Sequence, residues 1–182
     1  MPKIITVPEQ EMFNNKTQEF YTTKSATFKI EHSLVSIAKW ESRWHVAFLD
    51  DKVEKTNEMM LDYIKCMTIS QNVDPDVYKH LTPENIKEIN DYIGDPMTAT
   101  KFVEDNRSVG RSEFVTNELV YYWMIAQNIP LECEKWHFNR LMTLIRVCAE
   151  KNKEPKKMNK RDILNRNRAL NEARKKAHKT RG

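Results

Sequence analysis

"SIAKWESRWH", Ser36 to His45, sets two tryptophans four residues apart with a carboxylate and a guanidinium between them. Side chains spaced by three and four residues share one face of an α-helix. Leu34, Ile37, Trp40 or Glu41, Trp44 and Phe48 follow that spacing, while Ser36, Lys39 and Arg43 fall on the other side. The stretch predicts an amphipathic helix with Trp40 and Trp44 as its apolar spine and Glu41 and Arg43 on the flanks. The competing reading is an aromatic clamp around a ligand. A cage needs rings converging from separate elements around a cation, and these two rings share a single stripe with Ile37 and Phe48.

Upstream of this helix the period is two rather than 3.6. "KIITV" is β-branched and ends at Pro8, and "EFYTT" and "ATFKI" alternate apolar and polar residues, so residues 2–30 predict a small antiparallel sheet. "NNKT" between them is turn chemistry, because Asn tolerates the left-handed conformation. Downstream, Thr56 is placed to cap a helix carrying Met59, Met60, Tyr63, Ile64 and Met67. Asp74–Pro75 starts a short helix. "LTPENIKEINDYIGDP" is the clearest helix, with Thr82 as N-cap, Pro83 as first helical residue, Glu84 in the first turn, and Gly94 as the C′ stop before Pro96. Met97 to Arg111 reads as an ordered polar loop. A helix carrying Leu119, Tyr122, Trp123 and Ala126 follows, ending at "NIP". The next runs from about Glu132 to Lys151 with Phe138, Leu141, Ile145 and Cys148 on one face. "KNKEPKK" is a linker, and Asn159 caps a last helix with Asp162 at its third position and a thin apolar stripe of Ile163, Leu170, Ala173 and Ala177.

The expected fold is therefore α+β and mainly α: a small N-terminal antiparallel sheet, a five- to six-helix body and a basic C-terminal helix. Three segments follow from this: a β segment over 1–30 packed on the body, a helical domain over 31–152, and a basic linker and helix over 153–182. With 40% of its 182 residues apolar, the chain has material for a core. Only three glycines occur, far below the usual share of about 7%. That excludes glycine-rich phosphate loops, whose backbone positions only glycine takes. Cys66, Cys133 and Cys148 are an odd number, far apart, in apolar contexts and without a CxxC, which reads as buried thiols in a reduced cytoplasmic protein. The longest apolar run, "LVYYWMIA", is eight residues, against about 20 for a membrane span.

Charge is asymmetric. From Lys151 onward 13 Lys and Arg face 3 Asp and Glu, a balance of +10, which leaves the first 150 residues at −6. Lys156, Lys157, Arg161, Arg166, Arg168, Arg174, Lys175 and Lys176 form a candidate basic docking surface, suited first to an acidic protein and alternatively to nucleic-acid phosphates. The tail holds no aromatic residue for base stacking. It is expected to order only when bound. Tests for chemistry return little. Cys133 and His137 are four apart on an expected helix and reach one metal, but no further ligand motif follows. His45 has no nucleophilic neighbour, and Asp74 and Asp76 are better explained as helix capping. No catalytic residue, metal or cofactor is assigned.

"EHSLVSIAKWESRWH", "DYIKCMT", "NVDPDVYKHLT-ENI", "DPMTAT", "YYWMI-QNIP", "ECEKWHFNRL-TLIRVC" and "KKMNKRD-L-RN-ALN-ARKK" occur in that order over roughly residues 30 to 181. In this series the chain resembles the tail assembly chaperones of tailed (siphovirus-type) bacteriophages; the N-terminal strands match less clearly. The resemblance implies a non-enzymatic protein in the cytoplasm of the infected bacterial host. Its partner would be the long helical tape measure protein, with the tail-tube protein as a second partner and homo-oligomers as a further form. It implies no membrane association. A virion structural or connector protein and a nucleic-acid-binding phage regulator are the alternatives. Such binding calls for apolar surfaces that accept amphipathic helices, and methionine suits adaptable ones. The candidate partner-contacting residues are Trp40, Trp44, Met59, Met60, Trp123 and Trp136.

Overall fold

The computed structural model describes residues 1–14, 18–50, 52–102, 115–152 and 160–178. Four strands come first: β1 (Lys3–Val7), β2 (Gln10–Asn14), β3 (Glu19–Thr23) and β4 (Ala26–Ile30). β1 pairs with β4 and β2 with β3, both antiparallel, with Lys3 opposite Ile30, Val7 opposite Ala26, Gln10 opposite Thr23 and Asn14 opposite Glu19. The register runs unbroken through both pairs, so they are two halves of one long ribbon. The ladder lapses at Pro8–Glu9, where proline has no N–H to donate. β2, "QEMFN", was not legible as a strand, since its polar residues have little β preference; its pairing with β3 makes it one.

The two halves of the ribbon are used differently. Ile5, Val7, Phe28 and Ile30 of the inner half are buried in the core. Ser70 Oγ accepts from Lys29 N, and Glu31 N donates to Met67 O, so the segment after the second helix covers the free edge of β4. In the outer half Phe13 and Phe20, paired across the strands at 4.9 Å between ring centroids, stay exposed. Gln10 Nε2 donates to His80 O at 2.7 Å and ties this half to the body.

Five helices build that body: α1 (Leu34–Trp44), α2 (Asn57–Met67), α3 (Pro83–Gly94), α4 (Asn117–Ala126) and α5 (Phe138–Asn152), with 3-10 turns at Pro75–His80 and Leu131–Lys135. The basic α6 (Lys160–His178) follows. The chain is thus α+β and mainly α. By contacts it forms two compact units, Met1–Ala149 and Glu150–Gly182. No helix among the described residues is long and apolar enough to cross a membrane.

Local signals place most helix starts. Thr56 accepts from Met59 N, Asp74 from Asp76 N, and Thr82 from Asn85 N with Pro83 in the first turn. α1 begins in a capping box of Ser33 and Ser36. It ends at Trp44, because His45 turns left-handed (φ 54°) and its N–H closes on Glu41 O. Phe48 therefore lies beyond the helix. The chain folds it back so that its ring lies 4.1 Å from Tyr63 and meets Trp40 edge to face at 5.3 Å.

Other expectations are corrected. Gly94 is the last residue of α3, with no left-handed φ, and the chain leaves through an extended Asp95. The helix expected from Glu132 starts only at Phe138. The backbone ahead of it pairs His137 with Ser33, and Phe138 N donates to His32 O at 2.8 Å. α4 carries Leu119, Tyr122, Trp123 and Ala126, but its fully buried residues are Asn117, Val120 and Met124, with Trp123 packed partly against the core. Cys66 and Cys133 are buried, but Cys148 is only half-buried. The expected loop is described to Phe102. Its remainder to Arg111, the cap at Asn159, and most of the linker at 151–157 lie outside the described residues.

Glu41 is the main departure from the expected amphipathic pattern. It is buried, and its carboxylate accepts from Phe48 N at 2.7 Å, from Asn117 N at 2.9 Å and from Asn117 Nδ2. One side chain thus fixes the turn after α1 and the first residue of α4, where the helix dipole favours a negative charge. Replacing Glu41 with alanine strands buried donors on two elements. We expect a loss of about 3–5 kcal/mol in unfolding free energy by urea denaturation, with Glu41→Gln, which keeps one acceptor oxygen, losing roughly half as much.

Candidate functional site

The tryptophans of the opening stretch are engaged with α2. Trp40 is fully buried and its Nε1 donates to Met59 O at 2.9 Å. Trp44 is half-buried and its Nε1 donates to Asp62 Oδ2 at 3.0 Å, while Arg43 pairs with the other oxygen of Asp62 at 2.7 Å. The two rings lie 6.4 Å apart and tilted by 34°, with Phe48 filling the space against Trp40. No open slot remains between them. As candidate partner contacts Trp40 and Met59 are therefore corrected to core residues, because the α1–α2 seam closes over both.

The remaining candidates are scattered. Met60 is half-buried in a cleft of about 380 Å³ between α2 and α3, where Leu61, Ile64, Leu81, Ile86 and Ile93 also line the wall. Trp136 is half-buried and covered by the Arg140 guanidinium at 4.3 Å. Trp123 lies in a second, larger cleft. Arg161, Arg166, Arg168, Arg174, Lys175 and Lys176 are all exposed on α6, and Arg168 pairs with Glu172 at 3.3 Å. Lys156 and Lys157 lie outside the described residues.

A group of ionisable side chains meets at the centre of the first unit. Nδ1 of His32 shares a hydrogen bond with the Tyr63 hydroxyl, and the His32 and His137 rings stand edge to face at 5.1 Å. His137 Nε2 donates to Tyr92 O at 2.9 Å, which leaves its Nδ1 as a bare acceptor without a partner. The Tyr92 hydroxyl accepts from His32 N and donates to Met1 O. Both imidazoles are buried, so no substrate reaches them, and the group serves to join β1, α1, α2, α3 and α5. Cys133 belongs to a 3-10 turn and His137 to an extended step, so the four-residue spacing expected on one helix does not arise. Among the described residues no three His, Cys, Asp or Glu converge on a metal position.

The feature with the form of a binding site is the cleft between α4 and α5, about 670 Å³ in volume. Its walls are Tyr122, Trp123 and Ala126 from α4, and Met142, Ile145 and Ala149 from α5. Phe102 closes one end with the Arg146 guanidinium 4.0 Å over its ring. α4 is apolar on nearly every side; Asn117, Val120 and Met124 are buried, and Tyr121 and Trp123 pack partly against the core. Tyr122 remains 63% and Ile125 66% exposed. A helix apolar all round is ordinarily enclosed, and this one has an uncovered side. Of the cleft, only Trp123 was singled out from sequence. The eight consecutive apolar residues of "LVYYWMIA" exceed what one buried face requires, and that excess was the available sign. Nothing local marked Phe102, Met142 or Arg146.

Burial pushes His32 down to about 3, helped by His137, and pushes His137 down as well. Above pH 6.5 neither the folded nor the unfolded chain protonates these rings, so their contribution is complete. Below it the unfolded chain takes up protons that the folded protein refuses, and stability falls. For His32 the loss should reach about 2 kcal/mol between pH 6.5 and 5. Urea midpoints measured across that range will test it, and His32→Gln should flatten the slope.

No family model, curated protein or solved structure matches this chain.

Proposed function

We propose that this protein is a non-catalytic, helix-binding assembly factor: a tail assembly chaperone of a tailed bacteriophage, working in the cytoplasm of the infected host. The observation that carries the reading is the uncovered apolar side of α4 and the cleft it forms with α5. An amphipathic helix laid into such a groove buries its own apolar stripe and keeps its polar face in water. The tape measure protein is a client of that kind, long and helical, with a repeating apolar stripe that aggregates when bare. Tyr122, Ile125 and the pliant side chain of Met142 offer contact area without a fixed polar template, which suits successive segments of one client. Many weak contacts along a long chain hold it by avidity and still yield to displacement by the tail-tube protein. The resemblance in the ordered motifs of residues 30–181 suggests this client class, and a cleft lined by apolar side chains supports it.

Co-expression with the tape measure protein should raise the soluble yield of the latter. Tyr122→Glu with Ile125→Glu should abolish the gain, because two large apolar contacts are worth about 3 kcal/mol together, or roughly 100-fold in affinity. Both side chains are exposed, so the variant should melt within a few degrees of the parent. A client equally insoluble with and without the parent protein would sink the reading. Recovery of the chain as a stoichiometric part of mature virions would replace it with the structural one.

A further inference from the structure

The cleft leaves α6 without a role. This helix is 19 residues long, about 28 Å, with seven Lys and Arg against two Asp and Glu. Every residue from Leu164 to His178 is exposed. Arg161, Arg168 and Lys175 recur at seven-residue spacing and so lie along nearly one line, about 10.5 Å apart. Arg174 and Lys176 flank the end of that line, and Asn171 stands beside it. We propose that α6 binds duplex DNA, lying in the major groove and held by its arginines and lysines on the phosphates.

The occupant follows by chemistry. The opposite side of α6 carries Leu170, Ala173 and Ala177, but Arg166 falls at the same rotation and interrupts it. That stripe is too thin for an apolar protein groove or an acyl layer, which want bulky apolar or aromatic residues along one face. No Phe, Tyr or Trp occurs between Lys160 and His178, so single strands, which are held by stacking, find no platform. The deep, narrow major groove of A-form RNA does not admit a helix, whereas that of B-DNA, about 12 Å wide, does. Arginine forks match phosphate oxygens and guanine edges, and asparagine matches adenine. A five-charge excess on an exposed helix complements the phosphate backbone. Affinity should therefore be dominated by phosphate contacts, with weak sequence preference.

The test uses the full chain and a labelled 24-base-pair DNA duplex of arbitrary sequence, read by fluorescence anisotropy over a salt series. Up to about six phosphate contacts predict a slope of log K against log salt near −5, a loss of about 1,000-fold between 50 and 200 mM. Arg161→Gln, Arg168→Gln and Lys175→Gln together should flatten the slope by about 3, and glutamine keeps the helix propensity of α6. Three results would each overturn the proposal: a parent slope shallower than about −2, no difference between parent and triple variant, or equal or tighter binding at the same salt to single-stranded DNA, polyglutamate or phosphatidylglycerol vesicles. The cleft variant at Tyr122 and Ile125 should bind the duplex like the parent, which keeps this outcome separate from that of the client assay.

Discussion

The buried carboxylate of Glu41 is the constraint on which the rest of the first unit is hung. A charge withdrawn from water is tolerated only when its lone pairs are filled, and here they are filled from two directions, by the Phe48 amide and by the backbone and side-chain amides of Asn117. The consequence is geometric. The turn after α1 must bring Phe48 back over Trp40 and Tyr63, and α4 must begin where its dipole meets the carboxylate. Once Asn117 is held, Val120 and Met124 follow it into the core at helical spacing, and Tyr122 and Ile125 are committed to the outside. The uncovered apolar side of α4 is thus a result of how its first turn is fixed, not of a shortage of core.

A second knot does comparable work at the other end of α1. Burial keeps His32 and His137 uncharged, which lets two imidazoles face each other. The unfilled acceptor of this group, Nδ1 of His137, is a tolerated imperfection where strand, capping box and three helices converge. Such a group favours one arrangement of five elements over its neighbours, since any slippage would strand several buried polar atoms at once.

What was legible in the sequence was local. Thr56, Asp74–Pro75 and Thr82–Pro83 announce helix starts through hydrogen bonds made within three residues, and the ribbon is announced by β-branching in β1 and by alternation in β3 and β4. What was not legible was set from far away. Nothing near Glu41 says that one partner lies 76 residues on, so a carboxylate flanked by tryptophans read only as the flank of the apolar stripe. Nothing near His137 says that Ser33 would pair with it and delay α5 to Phe138. For α4 the apolar run was evident, but which side faced inward depended on the clasp at Asn117. The candidate site therefore stayed hidden longer than the fold. Trp40 and Met59 drew attention by residue type and proved structural, while Tyr122 and Met142 gained meaning only from the cleft between their helices.

The two proposed surfaces differ in the physics that would make them stick, and that difference suits them to different ligands. Burying α4's outer side gains from water leaving apolar area, an interaction that salts excluded from protein surfaces strengthen. α6 gains from charges on an exposed helix, an interaction that salt weakens over a screening length of about 8 Å at physiological ionic strength. A single ligand that satisfied both would need a continuous apolar stripe and a dense anionic array. An amphipathic client helix supplies the first and a nucleic-acid duplex the second. The first 150 residues, with their −6 balance, would repel a polyanion while leaving an apolar contact largely unaffected. Segregating the positive charge beyond Lys151 would, on the proposed reading, leave the acidic first 150 residues to an apolar client and the basic segment to phosphate.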